Sequence, residues 1–212
     1  MRIMMGLLML AGLSASASAQ RIAWDEPSFF SPRPMDDIGL YITRVNRSAG
    51  DPTGMSAIWR QSGNLNLGVR AGVGDLNNAG ETVLVAAELY GPLNSLVPVG
   101  SIDVSWILAA GAVFGDSYTV FSMPLGASIG MRLGSGGVQV LPYVYPRISL
   151  DIVAFDINGE ERTDTDGVLS VDIGADLSLG ERLVLRVGGS LFERSAIGVG
   201  LALRWPRPVS VQ

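Results

Sequence analysis

The sequence predicts an all-β chain, a closed antiparallel up-and-down transmembrane barrel of ten strands, and three observations carry that expectation. Polar and apolar residues alternate with a period of two from Asp37 to Trp205, and Gly, Pro, Asn and Asp clusters punctuate the pattern. Many of the alternating segments reach the ~9–11 residues that a tilted strand needs to cross a bilayer, longer than the ~5–6 usual in soluble sheets. No helical period of useful length competes. The third observation is the start of the chain, which carries the marks of export.

Residues 1–19 are expected to be a signal peptide. Arg2 supplies one positive charge, Ile3 to Leu13 an apolar run, and Ala17-Ser18-Ala19 the small-x-small pattern that precedes cleavage. That run is far shorter than the ~20 residues of a membrane-spanning helix. Residues 20–36 read as a periplasmic N-terminal arm, interrupted by Pro27, Pro32 and Pro34 and carrying Trp24, Phe29 and Phe30. These aromatics are expected to lie at a surface, since terminal segments are often poorly ordered; a plug or cap over the barrel is the alternative. Residues 37–205 form the barrel, with strands near 37–45, 55–61, 64–74, 81–90, 99–114, 117–133, 138–155, 167–179, 183–193 and 195–205. Pro124, Pro142 and Pro146 fall inside expected strands although proline cannot donate a ladder hydrogen bond. Counts of eight and twelve strands therefore stay open beside ten. Residues 206–212 are a C-terminal tail.

Composition narrows the function classes. Mean hydropathy is +0.34 and 17% of residues are charged, against about 25% in ordinary globular domains. A disordered acidic chain is excluded. All 15 basic residues are arginine, and histidine and cysteine are absent. Ser-His and Cys-His nucleophile pairs, His- or Cys-based zinc and haem sites, lysine Schiff bases and phosphate-binding P-loops are excluded with them. A pI near 4.7 argues against a nucleic-acid partner, because phosphate binding begins with a basic face. The expectation is a protein that is not an enzyme and holds no cofactor or metal.

The two faces of each strand differ sharply. In the segment from Val168 to Leu179, Leu169, Val171, Ile173, Ala175, Leu177 and Leu179 oppose Val168, Ser170, Asp172, Gly174, Asp176 and Ser178. Leu65, Leu67, Val69, Ala71 and Val73 oppose Asn64, Asn66, Gly68, Arg70, Gly72 and Gly74 in the same way. A soluble sheet shows water a face rich in charge, whereas this polar face is mostly Gly, Ser and Ala with spaced Arg, Asp and Glu. Small residues suit a crowded lumen, with the apolar face turned to lipid. The competing reading is a soluble periplasmic β-barrel or sandwich that binds a hydrophobic ligand within its apolar face.

The stretch Asp37–Trp205 resembles the small outer-membrane β-barrel proteins of Gram-negative bacteria, the OmpA-type and OmpX-type class. Its most specific element is the last strand, Gly200-Leu201-Ala202-Leu203-Arg204-Trp205. A glycine followed by alternating hydrophobics and a closing aromatic is similar to the terminal targeting signal of that class, carried here by Gly200, Leu203 and Trp205. In this chain Pro206 to Gln212 follow the aromatic. The resemblance implies residence in the outer membrane, with the lipid bilayer and the outer-membrane insertion machinery as partners. It also implies a structural or surface role, with narrow passage of small solutes as a further reading, and a monomer is expected.

Threading the strands from a periplasmic start places Gln61–Gly63, Gly91–Pro98, Gly134–Gly137 and Gly180–Arg182 inside. Asn46–Gly54, Asp75–Gly80 and Asp156–Asp166 then lie outside, the last as the longest and most polar connection. Its oxygens could hold calcium, but the spacing lacks the helix-loop-helix pattern, so a solvated loop is expected. Phe114 and Phe121 fall near one membrane interface, Trp59 and Trp205 near the other.

The candidate functional residues are the charges of the polar faces: Arg60, Arg70, Glu88, Asp103, Arg132, Arg147, Asp151, Asp172, Asp176, Arg186 and Arg204. An unpaired charge in a narrow lumen is costly, while arginine and carboxylate pair through bidentate hydrogen bonds. A network that fills and stiffens the barrel is expected, with a charge-lined pathway for small solutes or ions as the alternative. Asp172 and Asp176 stand ~13–14 Å apart along one strand at ~3.4 Å per residue. That is too far for a shared acid dyad or a glycosidase pair.

Overall fold

The computed structural model describes residues 28–33, 36–45, 53–63, 66–75, 81–93, 102–116, 118–134, 137–157, 160–192 and 195–205. The expected signal peptide, arm residues 20–27 and the 206–212 tail lie outside the described residues. Ten strands follow in chain order: β1 (Asp37–Val45), β2 (Thr53–Gln61), β3 (Asn66–Asp75), β4 (Glu81–Pro92), β5 (Ile102–Phe114), β6 (Tyr118–Met131), β7 (Val138–Ile157), β8 (Glu160–Leu179), β9 (Leu183–Phe192) and β10 (Ala196–Arg204). Each pairs antiparallel with its chain neighbours, and β1 pairs with β10 from Asp37↔Arg204 to Val45↔Ala196. The sheet closes on itself. The strand number is ten, and no wall strand is left with an open edge along the β1–β10 seam.

Closure follows from the alternation. Along β1, Asp37, Gly39, Tyr41, Thr43 and Val45 are buried while Ile38, Leu40, Ile42 and Arg44 are exposed. The polar faces read from the sequence are the buried ones: Ser170, Asp172, Asp176 and Ser178 point inward on β8, and Leu169 and Ile173 point out. The outer surface is therefore a continuous apolar belt. Leu40, 64% exposed, and Leu201, 50% exposed, face each other across the closing seam.

The three prolines are accommodated by gaps in the ladder. Pairing between β5 and β6 skips from Leu108↔Leu125 to Gly111↔Ser122, beside Pro124. Pairing between β6 and β7 skips from Gly126↔Arg147 to Ile129↔Val144, beside Pro146, and stops at Gly130↔Tyr143, one residue short of Pro142. Each proline turns its missing donor toward a gap and keeps its place in a strand.

Two expectations are corrected. The segment Asp156–Asp166 is not an open loop: β7 and β8 stay paired to Ile157↔Glu160, leaving only residues 158–159 as the connection. The alternation is hidden there because both faces are polar. The long outer loops do not materialise as the source of asymmetry either, since the longest gap between strands, 93–101, lies at the end that holds Asp37 and Arg204. What differs between the two ends is strand length. β1, β2 and β10 have 9 residues while β7 and β8 have 20. At ~3.3 Å per residue, that hairpin stands well above the rest of the wall. We call its tip the hairpin end and the opposite one the terminal end.

Glycines on the inner face serve as seats for aromatic rings. A Cβ at Gly39 would lie 2.6 Å from the Tyr41 hydroxyl, and one at Gly200 would collide with the same ring. A Cβ at Gly174 would lie 2.5 Å from Tyr143 Cζ. Gly200 and Gly174 thus trade a side chain for a ring from the neighbouring strand, and Gly39 for a ring from its own. Gly200→Ala is expected to destabilise the barrel by about 1–3 kcal/mol through overpacking, and by less in a Tyr41→Leu background. Urea titration in detergent micelles, following the band that migrates differently before and after boiling, measures both.

Candidate functional site

The lumen is filled by three groups of charge and by the chain's own N-terminal arm. At the terminal end, Arg186 on β9 donates through Nε to Asp176 Oδ2 at 3.2 Å, through Nη1 to the Tyr41 hydroxyl at 2.6 Å and through Nη2 to Asp37 Oδ2 at 2.5 Å. Asp176 and Arg186 are register partners on β8 and β9. Gly200 stands between Arg186 and Tyr41 in the next two rows, so the guanidinium reaches β1 over a strand without a side chain.

The second group uses the same device. Arg60, Gly68 and Glu88 form one row across β2, β3 and β4, and Arg60 Nε meets Glu88 Oε2 at 3.2 Å. A Cβ at Gly68 would lie 2.9 Å from that carboxylate oxygen. Arg70 Nη2 adds a contact of 3.4 Å to Glu88 Oε1. The third group lies on β7, β8 and β9. Arg147 Nη2 meets Asp172 Oδ1 at 3.1 Å, and the Ser190 hydroxyl donates to the same oxygen at 2.7 Å. Nearer the hairpin end, the Ser122 hydroxyl donates to Asp151 Oδ1.

The arm binds these groups together. Ser28 donates its backbone N–H and its hydroxyl to Asp172 Oδ2, at 2.9 and 2.7 Å. Its carbonyl accepts from Arg70 Nη2 at 2.7 Å and Arg60 Nη2 at 3.1 Å. The carbonyls of Phe29, Phe30 and Pro32 accept from Arg60, the Ser128 hydroxyl and the Ser105 hydroxyl at 2.9, 2.7 and 2.5 Å. Arg33 Nε meets Asp103 Oδ2 at 2.7 Å. Phe29, 0% exposed, packs with Tyr41 and Ile58, its ring 4.6 Å from that of Tyr41. Phe30, 2% exposed, packs with Tyr90, Ile107 and Tyr145 and lies 4.8 Å below the Arg60 guanidinium. Phe29 has φ of +50°, a left-handed conformation that costs a non-glycine residue about 1–3 kcal/mol. Two filled aromatic seats hold it there.

The structure thus overturns the expectation that Phe29 and Phe30 lie at a surface. Residues 28–31 are inside the barrel, because its polar wall leaves two apolar seats that no wall residue fills. Of the candidate charges, Arg60, Arg70, Glu88, Asp103, Arg147, Asp151, Asp172, Asp176 and Arg186 are buried in the lumen. Arg204 is half-buried at the terminal end, opposite Asp37. Arg132 is not in the lumen: β6 ends at Met131, and Arg132 is exposed in the turn that follows. Asp37 and Tyr41 were missed, although they share the polar face of β1 with Gly39 and Thr43. Of the residues of the terminal motif, Gly200 seats Tyr41, Leu203 faces outward and the Trp205 N–H donates to the Asp36 carbonyl at 3.2 Å. Phe114 and Phe121 are exposed near the hairpin end and Trp205 at the terminal end. Trp59 is half-buried in β2, toward the terminal end.

No family model matches the chain and no curated protein matches it. Among solved structures it is similar to the N-terminal β-barrel domain of Pseudomonas aeruginosa OprF, with 11% identity over 82% of this chain and 100% of that one, at a TM-score of 0.38. Neisserial surface protein A shares 14% identity over 80% and 95%, at 0.37. The β domain of the Bordetella autotransporter BrkA shares 12% over 82% and 99%, at 0.46. These values are too low to carry function, and the closed barrel rests on the strand pairing itself.

Breaking one of the buried groups and touching an exposed arginine have different consequences. Arg186→Met strands Asp37 and Asp176 and is expected to cost about 3–5 kcal/mol. Arg132→Met is expected to stay within about ±0.5 kcal/mol. Denaturant titration of the two variants side by side checks the contrast.

Proposed function

We propose that this chain is an outer-membrane β-barrel of structural or surface role whose lumen is closed by the Ser28–Pro32 arm and the arginine–carboxylate groups. One observation carries the reading: the faces point the wrong way for water. A belt that includes Ile38, Leu40, Leu169, Ile173, Leu201 and Leu203 covers the outside, far beyond the few hundred Å² of apolar patch a soluble monomer exposes. Arg70, Arg147, Arg186, Glu88, Asp172 and Asp176 are buried inside. Lipid is the solvent that suits this arrangement, and a closed ladder is the only sheet it tolerates. A soluble barrel with an apolar ligand inside needs the opposite faces.

The remaining parts fit that role. Export would use residues 1–19, and the Gly200–Trp205 strand would be the segment presented to the insertion machinery, since it closes the wall against β1. The self-closed ladder supports a monomer. Membership of the terminal end on the periplasmic side is supported by the taller β7–β8 hairpin, because such barrels extend outward from the cell. Small solutes would pass only with the arm withdrawn.

Fractionation of expressing cells is expected to place the protein in the outer membrane, with a band that shifts between unheated and boiled detergent samples. Recovery in the soluble periplasm would sink the reading. Leu201→Arg sharpens the test. It is expected to cost about 2–4 kcal/mol for a lipid-facing site near the middle of the wall, whereas a water-facing site would tolerate it within about ±0.5 kcal/mol.

A further inference from the structure

We propose that the lumen is a peptide-binding site, presently occupied by the chain's own Ser28–Pro32, and that a free extended peptide with two adjacent aromatic residues can take the arm's place. The inference rests on the closed-lumen reading above and adds a ligand class to it.

The recognition chemistry is that of a main chain. One carbonyl, that of Ser28, receives N–H groups from both Arg60 and Arg70, and the N–H of the same residue goes to the Asp172 carboxylate on the opposite wall. Three more carbonyls in the next four residues are held by Arg60, Ser128 and Ser105. Any peptide carries these groups. Selectivity comes from two rings. The Phe29 seat is made by Tyr41 and Ile58 with the bare Cα of Gly198, where a Cβ would lie 2.5 Å from Phe29 Cζ. The Phe30 seat is made by Tyr90, Ile107 and Tyr145 under the Arg60 guanidinium. Donors, acceptor and seats come from seven strands of the wall, β1 to β3, β5, β6, β8 and β10, with Tyr90 and Tyr145 adding β4 and β7. The arm runs covalently into β1 at Asp37, so it is a tethered ligand with the high effective concentration that tethering confers. Its strained Phe29 backbone is a cost that an untethered peptide with a freer approach need not carry.

Two measurements on the full chain in detergent micelles test this. In the Phe29→Ala/Phe30→Ala variant, an acetylated and amidated Ser-Phe-Phe-Ser-Pro-Arg peptide carrying a fluorophore is expected to bind at least about tenfold more tightly than to the unaltered chain, because truncating buried aromatic anchors empties the site. A Ser-Ala-Ala-Ser-Pro-Arg peptide is expected to bind neither. Equal binding of the two peptides, or none to the folded variant, would overturn the proposal. Should the variant not fold, Ser31→Cys decides, since the chain has no other cysteine and residue 31 is buried. A water-soluble thiol reagent is expected to label it slowly, and several-fold faster with excess aromatic peptide holding the arm out; a rate unmoved by the peptide overturns the site. The boiled and unheated bands of the same preparations keep the two readings apart. A heat-modifiable barrel that ignores the peptide loses only the peptide site, and a soluble protein that binds it loses only the membrane reading.

Discussion

Everything in this barrel depends on the requirement that each strand be hydrogen-bonded on both sides. Once β1 meets β10 along nine residue pairs, the ladder has no end, and successive side chains have only two places to go. One is an outer surface whose area is ample. The other is an interior of fixed width. The outer set is mostly apolar, with polar residues such as Arg44, Gln61 and Glu81 near strand ends. The inner set must fit together, and the choice of glycine, serine and paired charge on the inner face is the response to that width.

Fit is achieved by rows that alternate presence and absence. Arg60, Gly68 and Glu88 lie side by side on three strands, as do Arg186, Gly200 and Tyr41. Removing the middle side chain lets the outer two touch, so a long arginine also reaches a partner two strands away. Buried ion pairs of this type contribute little net stability by themselves, because desolvation offsets their attraction. Their effect is on specificity: a slip of one residue in any ladder would place each guanidinium on the apolar outer surface and each leucine in the lumen.

The barrel was legible from the alternation of residues such as Leu169 to Leu179, since burial on one face leaves a period of two that no helix imitates. Nine of the eleven candidate charges also fall within the lumen, because they share the period-two face that lies opposite the apolar one. The failures have separate physical causes. Arg132 continues the alternation of β6 on paper but follows the end of that strand, where the isolated bridge Leu133↔Val140 replaces the ladder and alternation no longer sets what points inward. Glu160 to Asp166 are strand without an apolar face, since a sheet surrounded by water on both sides needs none. Phe29 and Phe30 lie in a proline-broken segment with no period at all. Their burial depends on seats formed by Tyr41, Tyr90 and Tyr145, residues far apart in the chain that meet only when the barrel closes.

The proline gaps are not spread evenly around the wall. Eight of the ten ladders run without interruption, and the two that are broken, β5–β6 and β6–β7, are the two sides of one strand. β6 is consequently the one stave interrupted on both its left and its right, although each of its ladders keeps 11 pairs, against 8 in β1–β2 and in β9–β10. A donor restored at Pro124 or Pro146 would therefore act on the two ladders of β6 and leave the other eight as they are.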